Sequence, residues 1–190
     1  MNVVTIVYFS GYGQTVKQAE AVAEGIRSAD CIAEVYRLTD KGDLPDGYTL
    51  EDIGQAGAII YGAQLTWAAP PGSSRNSRTL ARSCSNYRPG KTRSQPDLQT
   101  PPLLAATNSQ QLPISGHWQC RWGRSGWGTG LLPASKKSNT PADINWSSGF
   151  GGAHAVSPAD ASVDEAPRIG DLETDKLLGK RVAELARTLA

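Results

Sequence analysis

The stretch Val3-Val4-Thr5-Ile6-Val7-Tyr8-Phe9-Ser10-Gly11-Tyr12-Gly13-Gln14-Thr15-Val16 decides the fold. Val3 to Phe9 is β-branched and aromatic without alternation, the pattern of a strand buried on both faces as in a parallel sheet. Ser10 to Gln14 is polar and holds two glycines, the composition of a tight turn. From Thr15 to Arg27 the residues Val16, Ala19, Ala23 and Ile26 recur at helical spacing, with Thr15 placed to cap the first turn. Strand, tight loop and helix make half of a βαβ unit.

Working outward, Ala33 to Leu38 reads as a second strand, Leu50 to Gln55 as a short helix and Ala58-Ile59-Ile60-Tyr61-Gly62 as a third strand. At the far end Leu177, Leu178, Val182, Leu185 and Leu189 form one apolar stripe on a closing helix from about Thr174. Alternating strands and helices in 190 residues predict one α/β domain, a doubly wound parallel sheet with helices on both faces.

The loop between the first strand and first helix is where chemistry belongs. Short side chains and two glycines let successive N–H groups curl around an anion, and the helix N-terminus adds its positive end. The hydroxyls of Ser10 and Thr15 can donate to phosphate oxygens without burying an opposing charge, which suits a monophosphate better than a triphosphate with its metal. Gly-Lys-Ser/Thr does not follow, so this is not a Walker A loop, and the spacing is not G-x-G-x-x-G. Spacing alone leaves open a plain turn with a threonine cap.

The formal charge is +1, which gives no case for a nucleic-acid or membrane-surface protein as a whole. No run approaches the roughly 18 apolar residues of a membrane span, and no basic segment precedes the apolar start, so a cytoplasmic protein is expected. Cys31, Cys84 and Cys120 form no CxxC pair, so neither a disulfide framework nor a metal site is readable. The charge is nevertheless uneven. Gln64 to Gly126 holds eight basic residues against one acid, Asp97, with seven of the 12 prolines and no valine. Such a segment is a poor source of strands or amphipathic helices.

Four stretches resemble the WrbA-type NAD(P)H:quinone oxidoreductases, a flavodoxin-like group of FMN proteins. They are Val4 to Ile26 with its Y-F-S-G-Y-G-Q-T loop, Ala58 to Ala63, Gly128 to Trp146, and the closing T-D-K-L-L-G-K-R-V-A-E-L-A helix, together about two thirds of the chain. The resemblance implies a flavodoxin-like fold and FMN as cofactor, with its phosphate and ribityl end on Ser10, Gly11, Tyr12, Gly13, Gln14, Thr15 and Val16. It implies NAD(P)H as co-substrate, a small-molecule quinone as acceptor, two-electron hydride transfer in alternating half-reactions, and a homodimer or homotetramer. Tyr12 is then also placed to meet the nicotinamide nucleotide.

The resemblance stops at Ala63 and resumes near Gly128 without a change of length. Codons for Ala63 to Ser77 can be chosen so that a neighbouring frame spells P-T-Y-M-G-G-P-P-G-Q-F-K-K-F, the family's second flavin loop and following helix. Gly90 to Gln110 and Trp118 to Trp127 yield family-like sequence in the same frame. Residues 64–126 are therefore expected to be the family's sequence read one nucleotide out of register, with the fourth strand lost behind Pro101 and Pro102.

Trp118, Trp122 and Trp127 beside Arg121 and Arg124 invite a nucleic-acid reading, but no binding fold frames them. His117 lies in the shifted window and takes no role. His154 reads as a packing or solvent residue, Cys31 as a small buried hydrophobe, and Asp143 and Asp160 lack assignable partners. No catalytic residue is named, which suits a protein whose cofactor carries the chemistry. The rival reading is a flavodoxin-like scaffold that binds no flavin and catalyses nothing.

Overall fold

The computed structural model describes residues 2–63, 103–108, 128–158 and 160–189. Five strands form one parallel sheet: β1 (Val3–Tyr8), β2 (Ile32–Arg37), β3 (Ala58–Ala63), β4 (Leu103–Asn108) and β5 (Gly152–His154), in the order β2-β1-β3-β4-β5. β1 is held on both sides, Val4 pairing with Ala33 and with Ala58, which is why its side chains are almost all buried. β2 is an edge strand, one residue earlier than the sequence suggests, and leaves Ile32 and Val35 partly exposed.

Helices cover both faces. α1 (Gln14–Arg27) and α3 (Ile169–Leu189) lie together on one face, burying Val22, Ile26, Leu178 and Val182 against Val4, Ile6 and Ile60. α2 (Leu50–Gly54) covers the other, where Ile53 and Ala56 meet Val7, Leu38 and Ile59. Thr49 opens α2 with a capping box: its hydroxyl accepts from the Asp52 N–H while the Asp52 carboxylate accepts from the Thr49 N–H at 2.8 Å. α1 and α3 approach so closely that a Cβ on Gly25 would collide with the Lys176 carbonyl, and one on Gly179 with that of Val22.

α3 begins at Ile169, before the expected Thr174. Its first turn carries an exposed Ile169 and a glycine, so no apolar period announces it. Thr174 lies inside the helix, donating its hydroxyl to the Gly170 carbonyl at 2.6 Å and accepting from the Asn145 N–H at 2.7 Å.

The expected loss of the fourth strand does not hold. β4 begins directly after Pro101 and Pro102 and pairs in register with β3 from Ala58–Leu103 to Ala63–Asn108. Leu103-Leu104-Ala105-Ala106-Thr107-Asn108 contains neither proline nor glycine, so every residue of it has an N–H for the ladder. The rest of the window 64–126 lies outside the described residues.

Candidate functional site

In a sheet ordered β2-β1-β3-β4-β5 the chain leaves β1 at the point where neighbouring strands diverge, and ligands of such sheets bind there, beyond the C-terminal strand ends. Phe9 to Gly13 occupies that point. The Phe9 N–H extends the sheet by donating to the Gly62 carbonyl at 3.0 Å. Ser10 is 1% exposed; its Oγ accepts from the Gly13 N–H at 3.1 Å, and its carbonyl accepts from Arg37 Nη2 at 3.1 Å. That Oγ keeps its own proton to donate. Tyr12 stands at the loop tip, 67% exposed.

Gly13 is the N-cap of α1, with φ +96°, a left-handed conformation that suits glycine. The expected cap at Thr15 is therefore wrong: no side chain caps this helix, and Thr15 is its second residue. A glycine cap with positive φ turns the chain sharply enough to put Thr15 inside the first turn. There Thr15 is 2% exposed, and its buried hydroxyl has no hydrogen-bond partner among the described residues. Gln14 is buried, and Val16 is half-buried against the α1–α3 core.

A strap from the far end of the chain crosses this loop, and the sequence had singled out none of its contacts. Gln14 Nε2 donates to the Ala161 carbonyl at 3.4 Å, and Lys17 Nζ pairs with Asp164 at 3.3 Å. Val163 lies over Gly13, with its Cγ1 2.7 Å from where a Cβ would stand. The strap is polar and aperiodic, so nothing in its composition marks it.

Two carboxyls behind the loop were also missed. Asp171 Oδ2 accepts from the Val156 N–H at 3.3 Å, and burial pushes its pKa up to about 6 against the opposing N–H bonds and Arg168. Asp175 is fully buried, and burial, followed by the nearby Asp171 charge, raises its pKa well above the carboxylate range, with the Gln18 amide opposing. The signal was legible: Asp171 and Asp175 continue the Leu178–Val182 stripe toward the helix start.

The remaining candidates fall elsewhere. His154 ends β5, half-buried, and burial lowers its pKa, which agrees with a packing role. Asp143 accepts the Thr140 N–H at 2.6 Å and closes a turn. Cys31 is buried, its Sγ 3.8 Å from the Ala183 carbonyl, and desolvation raises its pKa, so it is no thiolate nucleophile. Asp160 is exposed near the strap. His117, Trp118, Arg121, Trp122, Arg124 and Trp127 lie outside the described residues, as does the segment following β3. Among the described residues no cluster of His, Cys, Asp and Glu has the makeup of a metal site, and no helix is long and apolar enough to cross a membrane.

A phosphate monoester fits what is present. The buried, unpartnered Thr15 hydroxyl and the Ser10 hydroxyl flank a glycine-capped helix N-terminus. Such a terminus offers N–H groups that the helix itself does not use.

No protein-family model matches the chain. Flavodoxin FldP of Pseudomonas aeruginosa (strain UCBPP-PA14) is 31% identical over 199 residues, spanning 100% of this chain and 99% of the relative. Among solved structures, a flavodoxin from the domain Archaea is 19% identical with a TM-score of 0.46, covering 97% of this chain and 99% of that one. Two-electron reduced Megasphaera elsdenii flavodoxin is 17% identical with a TM-score of 0.43, covering 95% of this chain and 98% of that one. With a relative of that identity aligned from end to end, the chain belongs to the flavodoxin family, whose cofactor is FMN.

Proposed function

We propose that the protein belongs with the FMN-dependent NAD(P)H:quinone oxidoreductases of the cytoplasm, which work as homodimers or homotetramers, and that turnover requires the family's own sequence across residues 64–126. Membership of the flavodoxin family supports the flavin. The WrbA-like stretches at Val4 to Ile26, Ala58 to Ala63, Gly128 to Trp146 and the closing helix support the finer activity. The observation that carries the phosphate end is the buried Thr15 hydroxyl, left without a partner at the N-terminus of α1. FMN, when bound, supplies the two-electron hydride chemistry.

The chain's own part is to hold and orient. Ser10 and Thr15 donate hydroxyl protons to the phosphate, and Gly13 turns the backbone so that the start of α1 points at it. Arg37 fixes the Ser10 carbonyl and hence the loop's entry. Tyr12, exposed at the tip, is placed to meet the nicotinamide nucleotide or the ring edge. The WrbA-like stretches do not include 64–126, so the support they give is for the phosphate end of the cofactor.

The test is a titration of the protein with FMN and with riboflavin, followed by assay with NADH and NADPH against benzoquinone. Tighter binding of FMN than of riboflavin, lost in Gly13→Val, is the expected result. Equal affinity for the two flavins removes the phosphate site.

A further inference from the structure

From their second turns onward α1 and α3 lie against each other. Gln18 faces Asp175, the Val22 carbonyl faces Gly179, and a Cβ on Gly25 would meet the Lys180 N–H. These pairings advance together along both helices, so the helices run parallel, with both N-termini on the loop's side of the sheet. Asp175 is 0% exposed and Gln18 1%, and among the described residues neither side chain closes a hydrogen bond within 3.5 Å. An ionised carboxyl at such a place is costly, whereas the neutral acid is a donor suited to an amide oxygen.

We propose, resting on the reading that the Ser10 to Thr15 loop holds the FMN phosphate, that Asp175 is a positioning residue for that loop. As a neutral carboxylic acid it lies against Gln18 across the α1–α3 interface, and its ionisation draws the Gln18 amide N–H toward it and loosens the hold on the phosphate. Gln18 lies one turn beyond Gln14 and three residues beyond Thr15, so a shift of its side chain acts on the turn next to the one that presents the Thr15 hydroxyl. A negative charge there also opposes the positive end of α1 and repels a phosphate dianion through a low-dielectric interior.

The other charged groups nearby do not cancel this charge. Asp171, one turn earlier on α3, adds repulsion and is itself faced by the Val156 N–H and Arg168. Lys17, next to Gln18, is engaged by Asp164. The Arg181 guanidinium lies against Gly130.

The experiment follows FMN and riboflavin binding by flavin fluorescence from about pH 5 to about pH 9 in the full chain, Asp175→Asn and Asp171→Asn. The second ionisation of the phosphate, near pH 6, raises FMN affinity in all three alike. Wild type and Asp171→Asn are expected to lose FMN affinity on the order of tenfold at the alkaline end relative to Asp175→Asn, with no such difference for riboflavin. Superimposable FMN profiles for wild type and Asp175→Asn, with FMN still tighter than riboflavin, overturn the proposal alone. FMN and riboflavin bound alike, or neither bound, overturn the phosphate site and the proposal with it. Should Asp175→Asn fail to fold, infrared spectra of the wild type decide: absence of a protonated carboxyl band at neutral pH overturns the proposal, and a band that shifts on FMN binding supports it.

Discussion

Val163 rests on Gly13 so closely that a Cβ at Gly13 would stand 2.7 Å from Val163 Cγ1. Gly13 also holds φ +96°, so two separate costs fall on any side chain there. Gly13→Ala is expected to lower stability by about 1–3 kcal/mol. Adding Val163→Ala should recover only the steric part. Urea unfolding of the two single variants and the double variant checks this, and full recovery in the double variant would show that φ contributes nothing.

Thr15→Val separates binding from folding. The hydroxyl is buried without a partner, so replacing it by an isosteric methyl should leave the unfolding midpoint unchanged or slightly raised. FMN affinity should fall about tenfold, the loss of one good hydrogen bond to an anion, while riboflavin affinity stays the same. A fall in both affinities would mean that Thr15 shapes the loop rather than meeting phosphate.

Asp171 sets a pH dependence whose sign follows from its raised pKa of about 6. The folded chain binds the proton more tightly than the unfolded one, whose carboxyl titrates near pH 3.9. Stability from this group is therefore complete below about pH 4, falls as pH rises toward about 6, and is flat beyond. The drop should be about 1–2 kcal/mol once solvent screening is allowed for. Asp171→Asn should flatten that part of the denaturation profile, and an unchanged slope would remove Asp171 as its source.

Restoring the family frame across Gln64 to Gly126 is expected to produce quinone reductase activity, while the printed chain stays at the level of free FMN. Hydride transfer needs reacting atoms held at about 3–3.5 Å, and a ring tethered by its phosphate alone does not meet that requirement. Both chains, loaded with FMN, are assayed with NADH and NADPH against benzoquinone. Equal turnover would show that the printed window builds a working flavin site.

Val3 to Phe9 and the α1 stripe announced β1, its double-sided burial and the helix because burial pattern is written directly into side-chain type. The ends were harder. Thr15 looked like a cap, yet Gly13 took that place through its own backbone conformation, which periodicity does not register. β4 was hidden by Pro101 and Pro102, although a strand tolerates prolines just ahead of its first ladder residue. Ser10 to Val16 were legible as a site because glycines and hydroxyls advertise an anion loop. Ala161, Val163 and Asp164 were not, since their contribution depends only on where the fold returns them.

That return gives the site an order of assembly. Gln14 meets Ala161 and Lys17 meets Asp164 across 147 positions of sequence, so the loop waits for a segment synthesised much later to cover it. A nascent chain released early carries every hydroxyl and glycine of the anion loop and none of its roof. Removing the segment from Asp160 onward would also take away α3, with Leu178 and Val182 from the core. A fragment that keeps the whole anion motif is then left without the cover and the supporting helix that the motif needs to act as a binding site.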